Sequence, residues 1–476
     1  MTLVEQIQLL AQQKEEKIWQ LNQKVWEYAE LNWQEFRSAE ATALALEEEG
    51  FTVTRNAANL PTAIVAHYGT QGPTIGFLGE YDALPGLSQQ AGCPEHQVLE
   101  TGAAGHGCGH SMLGAGAFGA AVLLKELIAN GTITAQVEFF GCPAEEDGAG
   151  KAHMAREGLF QHLDAIFTWH PDSANHVMGT STLAVMGVEY SFTGITAHAA
   201  GAPYAGRSAL DAAELMNVGC NYLREHMIPE AKLHYAYRDT GGTAPNVVPA
   251  HAALHYYIRA PKVSQMLELF QRVNKVAQGA ALMTETQVKW KIIDACSDFI
   301  PNRPLSQLLA ESLAELGAPA FDEQDQQLAK KFQATIPERQ QQENLSNSCL
   351  SSGLRYADYQ GLALDNHTPA YIHQPQHAEM GSTDVGDASY CAPTAQCYLA
   401  CCALGTGGHT WQFTAQSNSS IGKKGTIQAA KVMALAAAKA ASSPEQLALA
   451  KQEFLQDVPN GYTCPLPAPE QKEGEQ

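Results

Sequence analysis

Four short apolar runs in this chain are separated by turn residues, and three of them are followed closely by acidic residues or by a histidine; this repeat constrains the fold strongly. The runs cover residues 63–66, 74–78, 136–140 and 165–168. A small-residue helix is predicted between the second and third runs, over 113–129, ending at Asn130-Gly131. Strands that alternate with helices favour an α/β fold whose mixed, mostly parallel sheet is covered by helices on both faces.

A different rhythm begins near Val185 and predicts the element order β-α-β-β-α-β, the split pattern of a small ferredoxin-like α+β domain. The predicted strands and helices cover residues 185–193, 208–226, 233–237, 247–259, 263–283 and 286–293. We therefore expect an inserted domain over 186–297 that divides a larger domain into 1–185 and 298–464.

The flanking regions are predicted from composition and periodicity. Residues 5–49 have helical spacing of apolar side chains and a stop at Gly50, which predicts one helix. Residues 321–380 are rich in Gln, Asn and Ser, which predicts an irregular insertion. The alanine-rich segment 425–441 predicts a terminal helix, and residues 465–476 are expected to be a disordered tail.

Composition excludes several classes of protein. A length of 476 residues favours two domains, and the net charge of −21 argues against nucleic-acid binding, which needs clustered basic residues. No apolar run approaches about 18 residues, so a membrane span is not expected. The N-terminus lacks the basic start and apolar centre of a secretory signal. Eleven scattered cysteines do not resemble a disulfide framework, which indicates a reducing cytoplasm.

The hexapeptide His106-Gly107-Cys108-Gly109-His110-Ser111 is the first candidate metal site. Its thiol and imidazole are two residues apart, and the glycines on both sides of the cysteine let the two side chains turn toward one point. Cysteine and histidine together suit a borderline-soft divalent ion such as zinc. Cys108 and His110 are therefore candidate ligands, although an isolated Cys-x-His is more often incidental.

Other candidates follow strands, where open α/β sheets place their sites. Glu145 and Glu146 can splay around one point after Pro143, so that one binds metal and the other takes a proton from water; the alternative is an acidic first helical turn. Asp82 can orient a ligand imidazole or be an ordinary turn residue. His170 and His409 are either ligands or satisfied core histidines.

The predicted inserted domain has candidates of its own. His198 lies in a small-residue loop between strand and helix, where it can donate to a developing oxyanion or be a surface histidine. Arg259 ends a long strand and can pair with a substrate carboxylate through two hydrogen bonds, or lie in solvent. Asn246, between two prolines, is a further candidate.

These motifs, in this order, resemble the dinuclear metal amidohydrolases and metallopeptidases that include aminoacylases, glutamate carboxypeptidases and acetylornithine deacetylase. The Cys-Gly-His form resembles the subfamily of indole-acetyl-amino-acid hydrolases. The likeness covers about residues 18–440, and it rests on six separated motifs that are similar to those of the B-type subunits of aminobenzoyl-glutamate hydrolases. These six are GEYDALPGLSQQAGC, GHGCGH, GRSALDA, GAALMTET, STDVGD and HTWQ.

The resemblance implies a role for each matching position. It implies a zinc-exopeptidase-like catalytic domain with two zinc or manganese ions, whose ligands are Cys108, His110, Glu146, His170 and His409. It further implies Glu145 as general base, Asp82 as the residue that orients a ligand, His198 as a dimerisation-domain histidine that reaches the partner's site, and Asn246 and Arg259 as substrate-binding residues. The partner is expected to be a second copy or a related A-type subunit.

Two departures and two rival functions stay open at this point. Glu80 stands where many relatives have histidine, and Ser111 stands where aspartate or asparagine usually follows, which puts metal occupancy in question. The expected reaction is metal-dependent cleavage of an amide bond to an amino acid, with p-aminobenzoyl-glutamate as the first substrate to test. The rivals are a broader N-acyl-amino-acid hydrolase or dipeptidase, and a degenerate scaffold subunit.

Overall fold

The computed structural model describes residues 1–352 and 354–468. Residues 469–476, most of the predicted tail over 465–476, lie outside the described residues. The chain divides into two compact units. Unit 1 comprises Met1–Ser181, Ile300–His377 and Ala388–Tyr462. Unit 2 comprises Thr182–Phe299, Ala378–Asp387 and the chain from Thr463.

Unit 1 is an α/β structure whose strands and helices alternate. Its strands are β1 (Thr52–Arg55), β2 (Ile64–Tyr68), β3 (Thr74–Glu80), β4 (Gln136–Cys142), β5 (Ala165–Asp172), β6 (His176–Val177) and β13 (Thr394–Ala400). Its helices are α1 (Leu3–Tyr28), α2 (Phe36–Glu48), α3 (His110–Ala129), α4 (Glu145–Gly148), α5 (Gly150–Arg156), α8 (Arg303–Leu316), α9 (Glu323–Gln333), α10 (Glu338–Ser352), α12 (Trp411–Ser417), α13 (Ser420–Ala441) and α14 (Pro444–Asp457).

The strands of unit 1 form one mixed sheet in the order β1-β2-β4-β3-β5-β13-β6. The four central strands β4, β3, β5 and β13 are parallel, whereas the pairs β1–β2, β2–β4 and β13–β6 are antiparallel. Every residue of β3 is buried, as expected for a central strand covered on both faces. The predicted α/β class and parallel centre are confirmed, and both edges of the sheet are antiparallel.

Helix α3 is the central helix of the unit 1 core, where it packs against β3, α1 and α13. It is long and apolar enough to cross a membrane by composition alone, but 78% of its apolar window is buried inside the protein, as in a core helix. Its glycines allow close approach, because a Cβ on Gly114 would lie 2.4 Å from the Glu80 carbonyl oxygen and one on Gly116 would lie 2.6 Å from the Trp169 ring. The approach of α3 to β3 thus depends on residues without side chains.

Unit 2 has the element order that the sequence predicts. Its strands are β8 (Ala184–Thr193), β9 (Lys232–Asp239), β10 (His251–Ala260) and β11 (Gln287–Cys296), and its helices are α6 (Ala209–Leu223) and α7 (Val263–Thr284). The sheet is antiparallel with the order β11-β8-β10-β9, and β9 is an edge strand whose residues after Leu233 are exposed. The short elements β7 (Thr180–Thr182), β12 (Gln374–Glu379) and α11 (Val385–Ser389) span the chain boundaries between the units.

Three predictions about the flanking regions were wrong. The single helix over 5–49 is broken after Tyr28, because Ala29 adopts a left-handed conformation with φ 42° that ends α1. Within the predicted irregular insertion 321–380, the chain forms the two helices α9 and α10. Asp322 begins α9 with a capping box, and Ala329 and Phe332 give α9 a buried face. The alanine-rich helix α13 is not terminal, because α14 follows it.

We expect Gly114→Ala to destabilise the protein by about 1–3 kcal/mol, because the added methyl group would meet backbone rather than a movable side chain. Gly279→Ala in α7 is the matched control, since nothing lies within 4 Å of its added methyl group and alanine favours the helix by up to about 1 kcal/mol. Denaturant unfolding of both variants measures the difference. Equal stabilities would contradict the close packing of α3 on β3.

Candidate metal centre

The candidate site lies at the carboxyl edge of the parallel strands. Glu80 ends β3 directly beside Cys142, which ends β4, and His170 lies near the end of β5. Parallel strands bring their carboxyl ends to one edge, so the residues that follow them converge. The loops after β3 and β4 therefore carry Asp82 and the Glu145-Glu146 pair to the same place as His170.

The Cys-Gly-His segment forms the turn into α3. Gly109 has φ +83°, and a Cβ there would lie 2.7 Å from the Pro171 ring, so this position requires glycine. His110 is the first residue of the helix and is completely buried, with Cys108 partly buried just before it. The glycine that the sequence analysis noted thus brings the thiol and the imidazole to the edge of the sheet.

Among the residues that the structure describes, three sets of ligand atoms lie close enough to hold metal ions, and the atoms of each set lie within 4.8 Å of one another. They are Cys108 with His110 and His170, Cys108 with Glu146 and His409, and Glu80 with His110 and Glu145. The Cys108 Sγ is 3.5 Å from the His170 Nε2, and the Glu146 Oε1 is 3.3 Å from the His409 Nε2. Cys108 belongs to the first two sets, so one thiolate can serve two neighbouring ions.

The polar atoms of these sets fit a cation. His110 Nε2 and Glu146 Oε1 are buried and make no hydrogen bond of acceptable geometry among the described residues, although each lies 3.3 Å from a neighbour of opposite charge, Glu80 and His409 respectively. Orphaned buried polar atoms are rare in proteins unless a missing ion or water satisfies them. The donor set of one thiol, three imidazoles and carboxylates is one that divalent zinc or manganese accepts.

Proton affinities at the site indicate competition between protons and metal. Burial, and then Glu146, raise the pKa of the Cys108 thiol well above its ordinary value. Burial opposes protonation of His110, but Cys108, then Asp82 and Glu80, prevail and raise its pKa well above the ordinary value. Burial and then His110 lower the pKa of His170, which keeps that imidazole neutral. A bound cation would therefore displace protons from Cys108 and His110.

Asp82 joins the two halves of the site. Its Oδ1 is 2.8 Å from the His110 Nδ1, and its Oδ2 accepts a hydrogen bond of 3.0 Å from the backbone N–H of Glu146. Because a carboxylate only accepts, the Nδ1 of His110 donates to it and the Nε2 is directed to the ligand set. Ser111 does not take part, since its buried hydroxyl has no partner in the part of the chain that the structure describes.

A family model described as peptidase family M20/M25/M40 matches residues 76–356, which include most of these site residues. The chain belongs to this family. The family consists of metal-dependent hydrolases, so the protein is a metal-dependent hydrolase of amide or peptide bonds.

Individual relatives agree with the family assignment. The chain is 43% identical over 452 residues to the B-type subunit of the p-aminobenzoyl-glutamate hydrolase of Escherichia coli, covering 93% of both chains. It is 27% identical to the Xaa-Arg dipeptidase of Mus musculus, covering 92% of this chain and 89% of that protein. A solved dinuclear metal binding peptidase of the M20 family from Bacillus subtilis shares the fold, with TM-score 0.57, 18% identity and coverage of 90% and 99%.

The structure brings together all the site residues that the sequence analysis proposed in unit 1 of this M20 chain. These residues are Asp82, Cys108, His110, Glu145, Glu146, His170 and His409. The other three candidates belong to unit 2: His198 and Asn246 are exposed, and Arg259 is half-buried and donates to the Ser382 hydroxyl at 2.6 Å. His198 Nδ1 accepts from the backbone N–H groups of Ala200 and Gly201, which fixes its ring.

Lys151 and Glu80 form a buried ion pair that sequence reasoning missed. The Lys151 Nζ is 2.6 Å from one oxygen of Glu80, whose other oxygen is 3.3 Å from the His110 Nε2, and both side chains are nearly inaccessible. Burial opposes ionisation of Glu80, yet Lys151 and then His110 lower its pKa. The lysine thus keeps a carboxylate charged beside the ligand set. A lysine among small residues in Gly150-Lys151-Ala152 was the one signal in the sequence.

The segment between α1 and α2 supports the loop that carries Glu145. Glu35 is buried and accepts from the Ala144 N–H at 2.8 Å and from the Thr62 hydroxyl at 3.0 Å. Asn32 donates to the carbonyl of Asp147 at 3.3 Å. Ala144 needs this support, because it is a non-glycine residue with φ 53°. Nothing in the spacing of the sequence singles out Glu35.

Glu35 predicts a pH dependence of stability. Burial, and then the charge of Asp82, raise its pKa from 4.5 to about 7. A carboxyl group whose pKa is higher in the folded than in the unfolded state stabilises the folded protein fully at a pH below the unfolded-state pKa. This stabilisation is lost as the pH rises from about 4.5 through about 7. We expect the metal-free wild type to lose about 3 kcal/mol relative to Glu35→Gln over this interval, since one pKa unit corresponds to about 1.4 kcal/mol.

Denaturant unfolding of the metal-free proteins at several pH values measures this effect. Glu311→Gln, on the exposed face of α8, is the control and should follow the wild-type curve. A constant difference between wild type and Glu35→Gln at every pH would contradict the raised pKa of Glu35.

Proposed function

We propose that the protein hydrolyses the amide bond of p-aminobenzoyl-glutamate to p-aminobenzoate and glutamate. The observation that carries the reaction class is the pair of ligand sets that share Cys108, with Glu145 3.9 Å from the His110 Nε2. The 43% identity over 93% of both chains to a p-aminobenzoyl-glutamate hydrolase subunit supports the substrate.

The proposed cofactors are two divalent ions, zinc or manganese, held by Cys108, His110, Glu146, His170 and His409. When bound, such ions supply Lewis acidity that makes water acidic near neutral pH and polarises a carbonyl group. Glu145 accepts the proton of the attacking water and passes it to the nitrogen of the leaving glutamate. Asp82 holds the His110 ring, and its bond to the Glu146 N–H fixes the residue beside Glu145.

Unit 2 is proposed to recognise the substrate. Arg259 offers a planar set of donors that matches a carboxylate of the glutamate moiety, and its contact with Ser382 orients the guanidinium. His198 is proposed to donate to the developing oxyanion, and Asn246 to bind a polar group of the substrate. These roles rest on the resemblance of the surrounding motifs.

A second candidate is a broader N-acyl-amino-acid hydrolase or dipeptidase, which the 27% identity to an Xaa-Arg dipeptidase supports. A scaffold subunit with a degenerate site is disfavoured, because a scaffold needs neither the buried ligand atoms nor the charged Glu80 beside them. Substrate specificity therefore separates the remaining candidates.

The first test is release of p-aminobenzoate by the purified chain after loading with zinc or manganese. Glu145→Gln should lower turnover about 100-fold or more while metal content stays unchanged, because the amide cannot accept the proton. Glu157→Gln, at the end of α5, is the control. Retained activity of Glu145→Gln would exclude its role as general base. Cleavage of dipeptides or N-acyl amino acids, but not of p-aminobenzoyl-glutamate, would keep the reaction and change the substrate.

We also propose that unit 2 forms the contact with a second copy or with a related A-type subunit. In the sheet that the described residues form, strand β9 lies at the edge and carries the exposed tyrosines Tyr235 and Tyr237, and an exposed edge can pair with another chain. The related E. coli protein is named as one subunit of an enzyme, which agrees with a partner. The eleven scattered cysteines lack the pattern of a disulfide framework, which agrees with the proposed cytoplasmic location.

Mixed dimers test whether His198 acts across the subunits. His198→Ala and Glu145→Gln should each be inactive alone, whereas co-refolded or co-expressed chains should regain about a quarter of the wild-type activity. Half of such dimers are mixed, and each contains one site with both native residues. Absence of recovery in a verified mixed dimer would show that His198 acts within its own chain.

A further inference from the structure

The loop that carries His409 is the least enclosed part of the site. The His409 side chain is 57% exposed, whereas that of His110 is completely buried. The backbone of His409 has φ 59°, an unfavourable conformation for a residue with a side chain, and Gly405 in the same loop has φ +83°. A loop with this conformation needs outside contacts to keep the imidazole near Glu146.

Two such contacts support the residues from His409 onward, one from the turn that carries Cys108 and one from the start of α12. The His409 N–H donates to the Gly107 carbonyl at 2.8 Å, which connects the loop with the Cys108 turn. Trp411 follows immediately in α12, where Thr410 caps the helix by accepting from the Phe413 N–H. These contacts hold the second half of the loop, from His409 onward, but not its first half.

The first half of the loop is held from two sides. On one side, Thr410 donates to the Gly407 carbonyl at 2.8 Å and Gln416 of α12 donates to the Thr406 hydroxyl at 3.2 Å. On the other side are helices α9 and α10 of the polar insertion. Gln333, the last residue of α9, donates to the Leu404 carbonyl at 3.1 Å, and Asn344 in α10 donates to the Gly405 carbonyl at 3.0 Å. The side chains of α10 also touch the glycines, since a Cβ on Gly407 would lie 3.0 Å from the Asn344 amide nitrogen. Two side-chain amides thus hold two consecutive carbonyl groups.

The insertion has contacts of its own that hold it beside the loop. The Gln341 amide donates to the carbonyls of Gln333 and Ile336, which joins α10 to the end of α9. Two small apolar clusters join the helices to the residues before the loop: Leu345 and Cys349 pack with Leu404, and Ala329 and Phe332 pack with Ala403. The Gln and Asn side chains of the insertion thus supply hydrogen-bond donors to backbone carbonyl groups.

We propose that helices α9 and α10 position His409 through Gln333 and Asn344, and so determine whether the set Cys108, Glu146 and His409 can close on a divalent ion. This inference rests on the proposed function, because it concerns the second of the two proposed ions. Gln333 and Asn344 are positioning residues, since they contact the loop backbone rather than a metal ligand atom. In the described residues, the set Cys108, His110 and His170 is carried by the turn before α3, by α3 and by β5, rather than by the loop of His409.

The test uses Asn344→Ala and Gln333→Ala, singly and combined, in the full chain. Gln342→Ala is the matched control, because Gln342 lies in the same helix, is exposed and donates to Glu338 within the helix. Equilibrium dialysis against zinc alone, followed by elemental analysis, gives the stoichiometry and affinity of each ion. The expected result is one ion bound as in wild type and the other weakened about 10–100-fold, the usual effect of losing a supporting contact.

Hydrogen exchange of the metal-free proteins gives a second reading that does not depend on catalysis. The amide of His409 should exchange faster in Asn344→Ala than in Gln342→Ala, while the amides of α3 exchange equally in both. Two ions bound with wild-type affinity in the double variant would overturn the inference. Equal weakening of both ions together with a lowered melting temperature would also overturn it, because the insertion would then stabilise only the fold.

Failure of this inference is distinguishable from failure of the proposed function. A wild-type chain that binds two ions and cleaves p-aminobenzoyl-glutamate, with variants that behave identically, refutes only the role of the insertion. A wild-type chain that binds no second ion refutes the two-ion proposal itself.

Discussion

The carboxylate of Asp82 is the interaction on which the arrangement of the site depends. One oxygen holds the His110 ring at the start of α3, and the other holds the backbone of Glu146 at the start of α4. The two loops follow different strands, and this single carboxylate joins them. Because Asp82 lies just beyond β3, the central strand of the sheet sets the distance between an imidazole ligand and the acidic pair.

Charge balance around His110 depends on Glu80, one of the two positions at which we expect this chain to depart from its relatives. Glu80 brings an additional carboxylate to the ligand set, and Lys151 offsets its charge in a nearly inaccessible environment. Removing one member of such a pair leaves a buried charge without compensation, which costs several kcal/mol. Glu80 and Lys151 therefore form one functional unit, although they come from a strand end and a separate helix.

Much of the site could be predicted from the sequence because strand ends and glycines leave a local signal. Apolar runs followed by Asp82, Glu145 and His170 indicated one edge of a parallel sheet, and the glycines beside Cys108 indicated a tight turn. The break after Tyr28 and the helices of the insertion were missed, since a left-handed Ala29 and packing against Leu404 depend on tertiary contacts. Glu35 and Lys151 were missed because burial, rather than spacing, gives them their roles.

The order of the sheet has a consequence for synthesis of the chain. Strand β5 pairs with β13, and about 220 residues, including most of unit 2, separate the two strands in sequence. At a synthesis rate of roughly 5–20 residues per second, the edge of β5 emerges on the order of ten to forty seconds before its partner. During that interval an apolar edge strand at the metal centre has no neighbour on one side. The nascent chain therefore passes through a stage at which aggregation or chaperone binding competes with completion of the sheet.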